Sequence, residues 1–152
     1  MDAGALPPKL RHHLETLELM PDRADRIQLL IDLADRFRGV PPRVATRPFP
    51  EEHRVPQCES EAFVWAERRD DGTLDFHFAV DNPQGISARA LAAMLQDGLG
   101  GQPPEAVLGV PGDLIYEVFG RELSMGKNLG LLGMIQMCHA FARRELAARR
   151  AG

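Results

Sequence analysis

The chain has 152 residues, 44% of them apolar, which suffices for one continuous core, so residues 1–152 are expected to form a single domain. Its 22 acidic residues against 18 basic ones leave a net charge of -4, which argues against a dedicated nucleic-acid binder, because phosphate contacts need a basic surface. No apolar run approaches the roughly 20 residues that span a bilayer, and the start, with Asp2 and then Pro7 and Pro8, lacks the basic-then-apolar order of a signal peptide; a cytoplasmic protein without a membrane partner is expected.

Leu10, Leu14 and Leu17 recur at helical spacing after Pro7 and Pro8, predicting a short amphipathic helix that ends at Pro21. Asp22 caps a second helix with an apolar stripe of Ile27, Leu30, Ile31, Ala34 and Phe37, stopped by Gly39. Pro41, Pro42, Pro48 and Pro50 then hold the chain extended as a stiff connector. Two strands follow, one around Phe63, Val64 and Trp65, the other with Leu74, Phe76, Phe78 and Val80 alternating with more polar residues. Asp70-Asp71-Gly72 between them tolerates positive φ and predicts an antiparallel hairpin, to which residues around His53 to Val55 add a short third strand. His77 falls on the polar side of the alternation and reads as a solvent-facing sheet residue rather than a catalytic base.

Asp81-Asn82-Pro83 is a turn in which Asp81 accepts a local backbone hydrogen bond, and Ser87 then caps a helix running to Gly98. Gly98, Gly100 and Gly101 trail a helix and lack the order of a phosphate loop, which argues against a nucleotide site. A short helical turn at Pro103 to Glu105 and an apolar segment from Leu114 to Phe119 serve packing. The last helix begins near Ser124 to Asn128 and runs to about Arg149, with Leu131, Ile135, Cys138, Phe141 and Ala142 on one face.

The two cysteines have opposite settings. Cys138 belongs to that apolar stripe, where desolvation disfavours the thiolate and leaves the sulfur inert. Cys58, in Arg54-Val55-Pro56-Gln57-Cys58-Glu59-Ser60-Glu61, sits among polar residues on a loop that solvent and partners can reach. Settings this different, in a reducing cytosol, favour two free thiols over a disulfide. Around Cys58, Glu51, Glu52, Glu59 and Glu61 oppose the negative charge of a thiolate, while Arg54 and Lys127 favour it.

Val55, Cys58 and Ser60 match a V-x-G-C-x-S signature, Trp65 lies close to an aromatic strand position, and Phe76 to Asp81 looks like a second hairpin strand with an acidic turn. Leu123 and Ser124, followed by Lys127 and Gly130, are similar to an L-[ST]-P-x-R-x-N-G stretch. In this order the pieces resemble the SufE family, which accepts sulfur for iron-sulfur cluster assembly. The chain departs from the family pattern with Gln57 for glycine, Glu59 and Glu61 for glutamines, Lys127 for arginine and Leu129 for asparagine.

The resemblance implies an α+β fold, with a small three-stranded antiparallel sheet packed against helices in the order α-α-β-β-β-α-α-α and Cys58 on a loop beside the sheet. It implies that Cys58 takes sulfane sulfur as a persulfide from a SufS-like, pyridoxal-phosphate-dependent cysteine desulfurase, activates that enzyme, and passes the sulfur to a downstream iron-sulfur scaffold. No cofactor or metal is implied on this chain. Arg54, Arg121 and Lys127 are candidates for docking the partner or stabilising the persulfide. Two alternatives stand beside this one: a regulatory domain that binds a desulfurase without carrying sulfur, and an iron-sulfur scaffold, which ordinarily needs several thiolates at one place.

Overall fold

The structure is a computed structural model and describes residues 6–121 and 123–151. Helix α1 (Pro8–Glu18) starts on proline, whose missing N–H has no intrahelical partner at that position anyway, and buries Leu10, Leu14 and Leu17. Helix α2 (Arg23–Arg36) is capped by Asp22, whose carboxylate accepts from the Ala24 N–H at 2.9 Å. Its inward face differs from the expected stripe, for Leu33 and Ala34 are buried while Ile27 is 47% exposed. The helix also stops before Gly39, because Phe37 already turns extended.

Strands β1 (Ala62–Arg68) and β2 (Leu74–Val80) pair antiparallel, with Val64 opposite Phe78 and Trp65 opposite His77. Gly72 supplies a left-handed φ of 87° in the turn, and the Asp71 carboxylate accepts from both the N–H and the hydroxyl of Thr73. The expected third strand is absent among the described residues, where the sheet has two strands. Glu51–His53 form a 3₁₀ turn instead, and an isolated bridge from Arg54 to Phe63 is all that extends the ladder there. Pro50 and Pro56 flank this stretch and lack the N–H that a longer ladder requires.

Both faces of the hairpin are covered. Val64, Phe76 and Phe78 join the main core with Leu10, Leu91 and Met134, while Phe63, Trp65 and Ala79 form a second cluster under Val44 and Phe49 of the connector. The Phe49 ring lies 5.2 Å from that of Phe63 and 4.9 Å from that of Trp65. His77 lies on this covered face, not toward solvent, with its side chain 14% accessible and its Nε2 2.6 Å from Glu67. Arg43 donates to the other Glu67 oxygen, and Arg43 and then His77 hold this carboxyl below the usual carboxylate range.

Among the described residues four helices follow the hairpin rather than three: α3 (Ile86–Leu99), α4 (Pro104–Leu108), α5 (Leu114–Phe119) and α6 (Met125–Ala151). The apolar segment at 114–119 closes into a helix of its own, burying Leu114, Ile115 and Val118. Helix α3 is capped at Gly85 with no side-chain hydrogen bond, so Ser87 lies inside its first turn instead of capping it. The architecture is α+β, an antiparallel hairpin packed against helices, and no helix among the described residues is long and apolar enough to cross a membrane.

Candidate functional site

The loop from Arg54 to Glu61 joins the 3₁₀ turn to β1 and is held at both ends by backbone hydrogen bonds. The Val55 N–H donates to the Ala62 carbonyl at 2.8 Å, and the Glu61 N–H closes a turn onto the Cys58 carbonyl at 3.1 Å. The residues after β2 bind it a second time. Asp81 and Asn82 donate their N–H groups to the carbonyls of Glu61 and Ser60, both at 3.1 Å, and the Asn82 side chain donates to the Glu59 carbonyl at 3.2 Å. The Asp81 carboxylate does not accept the expected local backbone bond. It receives both Arg47 guanidinium nitrogens, at 2.8 and 2.6 Å, and Asn82 makes the local bond instead, accepting from the Gln84 N–H.

Beneath the loop runs one face of α6 on which Gly126, Gly130 and Gly133 recur at helical spacing. A Cβ at Gly133 would stand 2.7 Å from a methyl of Val55, and one at Gly130 would stand 3.0 Å from Cys58 Sγ and 3.2 Å from its Cα. At Gly126 an added Cβ would collide with the Glu59 carboxylate. The helix therefore comes close to the loop because Gly130 and Gly133 lack side chains. Val55, buried to 1% exposure, anchors the loop, and Cys58 follows half-buried against the core. Ser60 has a similar partner, since a Cβ at Gly85 would lie 3.0 Å from Ser60 Cβ. Each residue of the V-x-x-C-x-S pattern thus has a packing reason, and glycines of α6 receive two of the three directly.

The loop backbone is left-handed at two non-glycine residues, Gln57 at φ 56° and Glu61 at φ 53°. Gln57 stands where the family pattern has glycine, so the preference for glycine there follows from the backbone shape.

Cys58 faces a pocket of about 160 Å³. Glu59 and Ser60 of the loop form one side, Ile86 and Ser87 of the first turn of α3 a second, and Lys127 with Gly130 of α6 the third. The first turns of two long helices thus open on the pocket, and the positive ends of their dipoles favour negative charge in it. In α6 the Ser124 hydroxyl accepts the Lys127 N–H at 3.2 Å and so caps the helix, and Lys127 itself is among the residues that line the pocket. Glu59 contributes a carboxylate of opposite sign. Among the basic candidates, Lys127 alone lines this pocket. Arg54 pairs with Glu51 at 3.2 Å and lies 4.9 Å over the Phe63 ring, while Arg121 lies 4.9 Å over the Tyr116 ring in a different groove.

Cys138 is buried in α6, and burial pushes its thiol well above the ordinary range. It makes no disulfide with Cys58; both are free. Of the residues the sequence singled out, Cys58, Ser60 and Lys127 line one pocket, whereas Gly126 and Gly133 were not marked as neighbours of the loop. The spacing of the three glycines on one helical face was the signal available for them.

Comparison with known proteins follows the same lines. The family model named SufE, described as the Fe-S metabolism associated domain, matches residues 11–142. Two Mycobacterium tuberculosis proteins, from strains CDC 1551 and H37Rv and each described as an uncharacterized SufE-like protein, are 28% identical over 94 residues. That match covers 62% of this chain and 63% of theirs, so it spans less than two thirds of those relatives. The solution structure of a hypothetical protein from Thermus thermophilus is 29% identical and superposes with a TM-score of 0.73 over 93% of this chain and 98% of that one. With the family's domain matched from α1 to the buried middle of α6 and its cysteine loop seated on glycine, this chain belongs to the SufE family.

Proposed function

We propose that the protein carries sulfur for iron-sulfur metabolism as a persulfide on Cys58, receiving it from a pyridoxal-phosphate-dependent cysteine desulfurase and stimulating that enzyme's turnover by emptying it. The Cys58 thiolate attacks the outer sulfur of the donor's cysteine persulfide. A sulfur–sulfur bond forms to Cys58 while the donor's own sulfur–sulfur bond breaks, giving Cys58–S–SH and the donor thiolate, with no net oxidation. The observation that carries this reading is the placement of Cys58, half-buried against Gly130 at a pocket where Lys127 and two helix N-termini converge. Such surroundings set the positive ends of two helices beside the sulfur that would accept the transfer.

The donor set argues against a cluster scaffold, which ordinarily gathers several thiolates, since the second cysteine of this chain is fixed in the core of α6. Intact-mass measurement after incubation with the desulfurase and L-cysteine is the direct test. A gain of about 32 Da that reductant removes and that maps to Cys58 is the expected result. Cys58→Ser is expected to bind the desulfurase yet neither gain mass nor stimulate it. Full stimulation by that variant would replace the carrier reading with a purely regulatory one.

A further inference from the structure

A groove of about 540 Å³ runs between α2 and α5, floored by Ile27, Leu30 and Phe119 and edged by Arg26 and Arg121. No carboxylate side chain is among its described lining residues. A smaller hollow of about 210 Å³ continues it, sharing Ile27, Leu30 and Phe119 and ending on Ile86 and Ser87. Those last two residues also wall the Cys58 pocket, so the groove and that pocket adjoin through Ile86 and Ser87. Its apolar floor is open to water, with Ile27 47% and Ile86 46% exposed.

Exposed aliphatic surface gathered in a groove, instead of scattered singly, marks a place where another surface sits. The charges select which. Arg26 donates to the backbone carbonyls of Leu17 and Glu117 at 3.1 and 2.8 Å, and Arg121 lies over Tyr116, so both groups are held at the groove without a described carboxylate neutralising them. On a chain of net charge -4, a groove edged by guanidinium groups, with no carboxylate among its described lining residues, is complementary to an acidic partner surface. A partner lying there has its edge at the mouth of the Cys58 pocket, which is where a sulfur donor must place its persulfide.

We propose that the α2/α5 groove docks an acidic segment with apolar anchors on the sulfur donor, aligning the donor's persulfide with Cys58. This rests on the sulfur-carrier reading above, and the test separates the two. Ile27→Glu and Arg121→Glu, each in the full chain, are titrated by calorimetry against the purified cysteine desulfurase of the same genome. Each is expected to weaken binding about tenfold or more, and wild-type affinity is expected to fall as salt rises. Iodoacetamide alkylation of Cys58 stays at the wild-type rate, since the groove acts on docking and not on the thiol. Should Ile27→Glu melt early, Arg121→Glu carries the same test from the surface.

If the desulfurase charges the wild-type chain while both variants bind it as tightly as wild type, the groove proposal is overturned and the carrier reading stands. If the wild-type chain gains no persulfide, both fall. If the variants instead change sedimentation of this chain alone, the groove belongs to a second copy, and docking of the donor there is overturned.

Discussion

Cys58 and Cys138 rest on the same helix, yet their surroundings give them opposite chemistry. Cys58 lies against Gly130, and Cys138 follows two turns further along α6, roughly 12 Å on at 1.5 Å per residue. At the first site the helix offers glycines, a capped N-terminus and a lysine, and the sulfur stands at the edge of a pocket. At the second the helix packs into the core, Cys138 is 1% exposed, and burial pushes its thiol upward. What a cysteine does here is decided by whether its contact face on α6 is empty or filled, and by how near the helix terminus lies.

The largest effect follows from that contrast. Iodoacetamide added to the native protein is expected to label Cys58 and spare Cys138 by a factor of about a thousand or more, because Cys138 reacts only when the core opens. Denaturant should erase the difference, and mass mapping of labelled peptides reads both rates. Equal native rates would mean that α6 does not shield its interior sulfur.

Two glycines sharpen the comparison. Gly130→Ala places a Cβ against the Sγ and backbone of Cys58, atoms that cannot move without the loop, so it should cost about 1–3 kcal/mol and speed alkylation as Cys58 is pushed outward. Gly126→Ala meets only the carboxylate end of the flexible Glu59 side chain, so it should be neutral or stabilise by up to about 0.5 kcal/mol through helix propensity. Urea unfolding of the two variants decides it. A similar cost at both positions would show that the close approach at Gly130 is not what seats the loop.

The parts of this arrangement that were legible in the sequence are those written by local pattern. Alternation around Phe76 and Phe78 with Asp70-Asp71-Gly72 gives the hairpin, the polar neighbours of Cys58 give its loop, and Pro8 and Asp22 give two helix starts. Long-range contacts left weaker marks. Gly130 and Gly133 carry no side-chain signal and individually only weaken a helix, so their common purpose emerges when Cys58 and Val55 are seen against them. His77 alternates with apolar residues as a solvent-facing residue would, but the connector brings Val44 and Phe49 over that face from far along the chain. Arg54 looks close to Cys58 in sequence, whereas an ion pair with Glu51 and the Phe63 ring hold it elsewhere.

Gln57 offers a smaller test on the exposed side of the comparison. A non-glycine residue held left-handed costs roughly 1–2 kcal/mol, while glycine gives back about 0.5–1 kcal/mol through its looser unfolded chain. Gln57→Gly should therefore stabilise by no more than about 1.5 kcal/mol, read as a rise in the urea midpoint. A loss of stability would mean that the Gln57 side chain contributes more than its backbone strain removes.

The smallest effect lies on the buried side, next to Cys138. His139 donates from Nε2 to the Val110 carbonyl at 2.7 Å, tying α6 to the segment after α4. Burial lowers its pKa, with Arg143 one turn on acting the same way and the Val110 bond opposing both. The folded state therefore favours the neutral ring, and below the unfolded value of about 6.5 the unfolded chain binds more protons. Stability from this group is complete above that pH and is lost as pH falls through the lower folded value. His139→Gln should flatten the fall of Tm between about pH 7 and about pH 5 by only a degree or two, since the ring is half exposed to solvent. If wild type and variant lose Tm in parallel across that range, burial of His139 is not what couples α6 to pH.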